Sequence, residues 1–160
     1  MNLNLSDKNA MVCASSQGLG KAAALELAKE GANLAICSRD QKKINKVRDE
    51  ILKELENEVE ILALKIDLDN SKEIEEFHLR ATEHFDAVDI LVNNNGGPPP
   101  SSFEKLTDAD WEKAFNSTMM SCIRLSKLVI PKMKQKNWGR IINISSVSVK
   151  TPVTGLFLSN

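Results

Sequence analysis

Short apolar runs alternate with longer stretches of helical periodicity along the whole chain. The apolar runs predict five strands, over residues 10–13, 34–37, 60–66, 87–92 and 140–144. The stretches between them predict four helices, over residues 20–29, 40–55, 71–85 and 108–134. In the second helix, Ile44, Val47 and Ile51 recur at three- and four-residue spacing. Strands that alternate with helices of this length are typical of βαβ units, so the pattern predicts an α/β fold with a parallel sheet.

The composition indicates one globular domain over residues 1–160. With 42% hydrophobic and 27% charged residues, the chain is long enough to bury a sizeable core. The net charge of −1 argues against a nucleic-acid partner, which would select for a basic surface. The N-terminus lacks a basic region followed by an apolar block, and no apolar run reaches membrane-spanning length. These features predict a soluble protein with no membrane partner.

The cysteines and histidines follow no disulfide or metal pattern. Cys13, Cys37 and Cys122 are odd in number and widely spaced, and two of them lie in predicted strands as small buried hydrophobes. This cysteine usage fits a reducing, cytoplasmic location. His78 and His84 lie six residues apart in a predicted helix, with no cysteine or acidic partner at ligand spacing. We therefore expect solvated histidines and no metal.

The turn between the first strand and the first helix is the first candidate for chemistry. The stretch VCASSQGLGK, residues 12–21, places small residues where a helix N-terminus can present backbone N–H groups to a phosphate. The full G-x-G-x-x-G fingerprint is absent, so the two glycines could also serve only to make a tight turn. A P-loop is rejected, because its first glycine would fall on Ser15 and its Ser/Thr on Ala22. The loop NNNGGPPPSS at 93–102 follows the fourth strand, at the sheet edge where ligands of open α/β sheets bind.

Five motifs occur in the order and at the approximate spacing found in one enzyme family. They are the turn at 14–20, Asp67-Leu68, NNNG at 93–96, Asp110-Trp111 and NISS at 143–146. The chain resembles the short-chain dehydrogenase/reductase family over essentially its whole length, and looks most like the 3-oxoacyl-carrier-protein reductase-like branch. This resemblance implies a Rossmann-type, doubly wound parallel sheet. Members with a single domain run to roughly 200–250 residues, so it also implies that C-terminal strands, helices and a substrate lid are missing.

The resemblance assigns the first turn to the pyrophosphate of a dinucleotide. The turn residues that it places there are Ala14, Ser16, Gln17, Gly18, Leu19 and Gly20. Gly18 and Gly20 would approach the phosphates closely. Ala14 stands in the slot of the family's first glycine, and its methyl group is expected to tighten the turn slightly.

The resemblance also assigns residues to the adenosine half of the cofactor. Asp67 would accept a hydrogen bond from the adenine amino group, with Leu68 against the ring. Asn93 would brace neighbouring strands through its side-chain amide. Asn95 stands where the family usually has alanine and adds a polar group near the adenosine ribose, and Gly96 completes the motif.

The catalytic positions match the family only in part. Ser146 matches the serine that hydrogen-bonds the substrate carbonyl. The family's catalytic asparagine falls on Thr118, and the tyrosine of Tyr-x-x-x-Lys falls on Ser159 when NISS is extended without a gap. The chain contains no tyrosine, and the lysine slot lies beyond Asn160. Because an alcohol is a far weaker acid than a phenol, Ser159 would donate a proton poorly.

The end of the second strand indicates which cofactor is bound. An NAD-selective site places a carboxylate there to accept from the ribose 2′-OH, whereas this chain has Cys37, Ser38 and Arg39. Arg39 offers a planar guanidinium and Ser38 a hydroxyl to a 2′-phosphate. The alternative interpretation makes Arg39 a solvated loop residue, while Asp40 caps the next helix. We favour NADP, with NAD as the alternative.

The sequence thus predicts an NADP-dependent oxidoreductase of the short-chain type. It would reduce a ketone or oxidise the corresponding alcohol of a small-molecule substrate, and by family resemblance it would form a homo-oligomer. A catalytically weak nucleotide-binding protein on a reductase scaffold is the alternative, because the tyrosine position is occupied by Ser159.

Overall fold

The computed structural model describes residues 3–56 and 58–159, and in this part of the chain five parallel strands form one sheet. The strand order is β3-β2-β1-β4-β5, and the strands are β1 (Asn9–Val12), β2 (Asn33–Ser38), β3 (Ile61–Lys65), β4 (Ile90–Asn93) and β5 (Arg140–Asn143). The helices are α1 (Gly18–Lys29), α2 (Gln41–Glu54), α3 (Ser71–Phe85), α4 (Asp108–Phe115) and α5 (Ser121–Gln135). The chain reverses direction across the sheet between β3 and β4, which is the doubly wound topology that the sequence predicted.

The two faces of the sheet build two apolar layers. On β1, Met11 faces one layer and Val12 the other, as the two-residue period of a strand requires. The layer that contains Met11 packs on α3 and α5, with Phe77 and Leu125 fully or almost fully buried. The layer that contains Val12 packs on α1 and α2, where Ala24 and Ala28 of α1 and Ile44 of α2 are buried. The strands β1, β2 and β4 are buried on both faces and are therefore apolar runs, which is why they could be recognised in the sequence.

The long predicted helix over 108–134 is divided in the structure. A π-helical turn, Asn116–Met120, separates α4 from α5. The widened turn coincides with hydroxyl side chains that bond to the helix backbone: Ser117 and Thr118 donate to the Ala114 carbonyl, at 3.3 and 2.7 Å. A π-helical turn keeps helical backbone angles and adds only one residue to the helix. The apolar periodicity of the sequence therefore could not reveal this turn.

Helices α2 and α4 are both capped at their N-termini by side chains. Asp40 caps α2 by accepting from the backbone N–H groups of Lys42 and Lys43, at 2.9 and 3.0 Å. These bonds, with the Lys43 amide contributing most, hold the pKa of the Asp40 carboxyl below its usual value. The start of α4 carries a reciprocal capping box between Thr107 and Asp110. Both helices are therefore fixed at the ends that face the loops after the strands.

Helix α1 lies unusually close to the sheet at Gly20. A Cβ atom at this position would lie 2.6 Å from the carbonyl oxygen of Ala14 and 2.9 Å from that of Cys13. Both are backbone atoms of the turn after β1 and cannot swing aside as a side chain could. Only glycine lets α1 begin this close to β1, and the position of the helix N-terminus depends on it.

We predict that Gly20→Ala lowers the free energy of unfolding by about 1–3 kcal/mol, the usual cost of forcing a methylene into a packed site. Chemical denaturation monitored by circular dichroism measures the change. Gly96→Ala is the matched control, because a Cβ there meets nothing within 4 Å. Equal stability of the Gly20→Ala and Gly96→Ala variants would contradict the close contact.

Candidate nucleotide-binding site

A cleft of about 720 Å³ opens at the carboxyl ends of β1, β2, β3 and β4. Its walls are the turn after β1, the end of β2, the segment after β3, the loop after β4 and one side of α4. Most of the sequence-predicted cofactor residues line it, namely Ala14, Ser16, Gln17, Gly18, Leu19, Ser38, Arg39, Asp67, Leu68, Asn95 and Gly96. Four separate loops therefore bring their candidate residues to one concave surface, as expected at the switch point of a doubly wound sheet.

The turn after β1 has the backbone shape of a phosphate cradle. Gly18 has a φ of +58°, and a Cβ placed on it would meet nothing within 4 Å, so its open side faces the cleft. Within the described residues, the Gln17 side chain makes no capping hydrogen bond to α1. The first N–H groups of this helix are thus open to an anion, and the helix dipole favours negative charge there. This local geometry fits a dinucleotide pyrophosphate.

Ala14 adopts a backbone conformation that normally favours glycine. Its φ is +46°, where an L side chain is strained. The residue is held there by its neighbours: the Ser15 N–H donates to the Cys37 carbonyl at 2.9 Å, and the Ser15 hydroxyl donates to the Val12 carbonyl at 2.6 Å. The methyl group expected to tighten the turn therefore sits at a position of positive φ.

A residue that sequence reasoning did not single out holds this turn. The Asn94 side-chain amide donates to the carbonyls of Cys13 and Ala14, both at 3.3 Å, and so fastens the loop after β4 to the turn after β1. Three consecutive asparagines were visible in the sequence. The pairing of β1 with β4, which places one of them over the turn, was not.

The end of β2 presents one charged group to the cleft. The Ser38 hydroxyl donates to the Asp40 carbonyl at 2.9 Å and accepts from the Asp40 N–H at 3.2 Å. The proton of the Ser38 hydroxyl is therefore engaged, and the hydroxyl oxygen can only accept a further hydrogen bond. Arg39 is exposed and lines the same wall. Of the two cleft-lining groups expected to meet a 2′-phosphate, Arg39 is therefore the one that can still donate hydrogen bonds.

The segment after β3 supplies an acceptor beside an apolar surface. Asp67 is half-buried, and its Oδ1 accepts from the Asp69 N–H at 3.0 Å. The Asp67 N–H in turn donates to Glu73 at 2.7 Å, which fixes the backbone. A carboxylate has about four acceptor sites, so Asp67 can accept a further bond from the cleft. Leu68, only 5% exposed, adds an apolar surface next to it.

Two candidate cofactor residues lie away from the cleft surface. Gly20 is buried against the turn and provides close packing of α1, as described above. Asn93 is 2% exposed, and its side-chain amide donates to Asn143 Oδ1 at 2.8 Å, across the pair β4 and β5. Its geometry is that of a strand brace. The buried Asn93 Oδ1 accepts no hydrogen bond from the described part of the chain.

The three candidate catalytic residues do not line the cleft. Thr118 lies on the π-helical turn, with its hydroxyl bonded back to the Ala114 carbonyl and its own carbonyl accepting from the Cys122 thiol at 3.1 Å. Ser146 is exposed and caps the short turn Val147–Val149 by accepting from the Ser148 N–H at 3.2 Å. The Ser148 hydroxyl donates to the carbonyl of Ser159 at 3.3 Å, so the candidate residues after β5 lie in one connected segment.

Residues 3–56 and 58–159 contain neither a metal-binding cluster nor a membrane-spanning helix. No group of three or more histidine, cysteine or acidic side chains is placed to hold a metal ion there. None of the helices in that part of the chain combines the length and apolar character needed to cross a bilayer.

Known proteins are similar to this chain in both sequence and fold. The sequence model of the short chain dehydrogenase family matches residues 8–158. The uncharacterised oxidoreductase YvrD of Bacillus subtilis is 35% identical over 96% of this chain and 56% of its own length. This chain therefore spans a little over half the length of that relative. It belongs to the short-chain dehydrogenase/reductase family.

Two solved structures show the same architecture. A 7α-hydroxysteroid dehydrogenase in complex with NADH and 7-oxoglycochenodeoxycholic acid superposes with a TM-score of 0.91, at 29% identity, over 99% of this chain and 60% of the other. YwfH, an NADPH-dependent reductase involved in bacilysin biosynthesis, superposes with a TM-score of 0.90, at 30% identity, over 95% of this chain and 59% of the other. The fold expectation from the sequence is confirmed.

Proposed function

We propose that the cleft binds NADP(H), and that the protein transfers hydride between this cofactor and a small carbonyl compound or the corresponding alcohol. The observation that carries the proposal is the turn after β1, where Gly18 opens to the cleft beside the uncapped N-terminus of α1. The NADH complex of one structural relative and the NADPH dependence of the other support a nicotinamide cofactor without separating the two forms. Membership of an oxidoreductase family supports the reaction type.

The proposed choice of NADP over NAD rests on Arg39. A guanidinium binds a phosphate by charge-assisted, paired hydrogen bonds, whereas selection for NAD calls for a carboxylate acceptor. The strand end has no such carboxylate facing inwards, since the Asp40 carboxylate is engaged with the first turn of α2. NAD is the alternative cofactor.

When bound, the cofactor supplies or accepts the hydride. The residue we propose to orient the substrate carbonyl is Ser146, whose oxygen accepts from Ser148 N–H and whose proton can still be donated. The 3-oxoacyl thioesters are the substrate class that the sequence resemblance favours. We place all of residues 1–160 in one dinucleotide-binding domain and the protein in the cytoplasm.

We also propose a homo-oligomer that forms through α4 and the π-helical turn. Trp111, Phe115 and Met119 recur every four residues there and are 41%, 54% and 51% exposed. Such a stripe of large apolar side chains on one helical face supports burial against another chain. A second copy of this protein is the partner we favour.

A second candidate function is nucleotide binding without efficient catalysis. The specific observation in its favour is that the chain has no tyrosine and that its tyrosine slot is Ser159. Thr118, in the asparagine slot, also has its hydroxyl committed to the Ala114 carbonyl. Neither residue offers a proton donor with a pKa near neutrality.

We predict that Arg39→Ala weakens NADPH binding by about 10- to 100-fold, the value of a charge-assisted hydrogen bond, and leaves NADH binding unchanged. Calorimetric titration of both cofactors measures the effect. Arg48→Ala is the matched control, because Arg48 on α2 is half-buried and pairs with Asp49 outside the cleft. If the unsubstituted protein binds NADH as tightly as NADPH, the assignment to NADP fails.

We predict that this 160-residue chain binds NADPH but reduces 3-oxoacyl thioesters at close to the background rate. Loss of general-acid assistance typically costs 10²–10⁴-fold, and Ser159→Tyr should recover part of it by supplying a phenol. The readout is the decay of NADPH absorbance over a panel of ketones. Ser146→Ala in the Ser159→Tyr background is the control, and it should abolish the recovered rate. Fast turnover by the unsubstituted chain would contradict the inference that Ser159 is a poor proton donor.

A further inference from the structure

One hydrogen bond connects the loop after β4 with the π-helical turn across the cleft wall. The side-chain amide of Asn95 donates to the carbonyl of Ser117 at 2.8 Å. Asn95 and Ser117 both line the cleft, and the two residues are 22 positions apart in the sequence. A ligand in the cleft would therefore contact both partners of this bond.

The Ser117 carbonyl is available because the turn is π-helical. It accepts from Asn95 and also from the hydroxyl of Ser121, itself 2% exposed. A normal α-helical turn would direct this carbonyl into the main-chain ladder, whereas a widened turn commonly calls on side chains to satisfy its backbone groups. The hydrogen bond between Asn95 and Ser117 thus depends on the π-helical turn, and the same bond helps to hold that turn in place.

The orientation of Asn95 is fixed at both ends of its amide. While Nδ2 donates to Ser117, Oδ1 accepts from the N–H of Gly96 at 2.9 Å. Gly96 is exposed and lies on the cleft wall. Any ligand that moves Gly96 also moves the N–H donor that holds Asn95, and through Asn95 the Ser117 carbonyl.

Thr118 is the residue immediately after the bonded carbonyl. Its hydroxyl is bonded to Ala114 and its carbonyl to Cys122, so it has little freedom apart from the turn as a whole. A shift of Ser117 must therefore be shared by Thr118, the residue in the asparagine slot.

We propose that Asn95 is a positioning residue, which couples occupation of the cleft to the geometry of the π-helical turn and thereby to Thr118. The inference rests on the proposed function, because NADPH is the ligand expected in the cleft. It assigns to Asn95 a role that alanine, the residue usual at this place in the family, could not fulfil. One neutral hydrogen bond limits the coupling to about tenfold or less.

The test is amide hydrogen exchange followed by mass spectrometry, with and without NADPH at saturation for each variant. In the unsubstituted protein, NADPH should slow exchange both in the turn at 14–20 and at 116–121. In Asn95→Ala, we expect slowing at 14–20 with no slowing at 116–121, and NADPH affinity reduced by no more than about tenfold.

Two more variants separate coupling from simple loss of stability. Asn95→Asp keeps an acceptor for the Gly96 N–H but cannot donate to Ser117, so it should behave as Asn95→Ala. Asn116→Ala removes the bond that Asn116 donates to the Glu112 carbonyl and the bond that it accepts from Arg124, and both lie within the helical segment and do not reach the loop. In this control variant, amide exchange at 116–121 without NADPH should change, and NADPH should still slow it.

The possible results distinguish failure of the coupling through Asn95 from failure of the proposed function. If NADPH slows exchange at 116–121 equally in Asn95→Ala and in the unsubstituted protein, the coupling through Asn95 is refuted, while the proposed function stands. If NADPH slows exchange at neither segment of the unsubstituted protein and shows no saturable binding, the proposed function is refuted and the coupling with it.

Discussion

The close approach of helix α1 to the end of β1 is the constraint on which the rest of the site depends. Gly20 permits it, since a Cβ would overlap the Ala14 and Cys13 carbonyls. The same two carbonyls accept from the Asn94 amide, which brings the loop after β4 over the turn. Helix N-terminus, turn and loop are thereby fixed relative to one another before any ligand arrives. Such preorganisation lowers the entropic cost of binding.

The site combines strain at one position with freedom at another. Ala14 is held at positive φ by its neighbours, whereas Gly18 adopts a similar conformation without steric cost. A Cβ at Gly18 would meet no atom within 4 Å, so this position is open to the cleft. A family slot usually filled by glycine therefore tolerates alanine here, because the surrounding hydrogen bonds of Ser15 enforce the backbone shape.

Much of this architecture could be predicted from the sequence, because buried parallel strands are apolar and amphipathic helices show their period. The clustering of Asp67, Arg39 and Asn95 followed from the motifs and the rule that the carboxyl ends of parallel strands share one edge. Three features could not be predicted. The π-helical turn adds one residue over a single turn, which is too short a change for the apolar pattern to reveal. The roles of Asn94 and Asn95 depend on which strands are neighbours, and the engagement of the Ser38 hydroxyl by Asp40 depends on local backbone geometry.

The central claim is that the described cleft holds the phosphate-bearing half of NADP. Calorimetric titration with 2′-phospho-ADP-ribose, which lacks the nicotinamide, tests this half of the site alone. We expect saturable binding to one site per chain, and loss of this binding in Gly18→Val, whose branched side chain would be strained at a φ of +58° and would enter the cradle. Circular dichroism should show that this variant keeps its fold, because the added atoms meet nothing within the protein at Cβ. Absence of saturable binding, or equal affinity in the folded Gly18→Val variant, would contradict the claim.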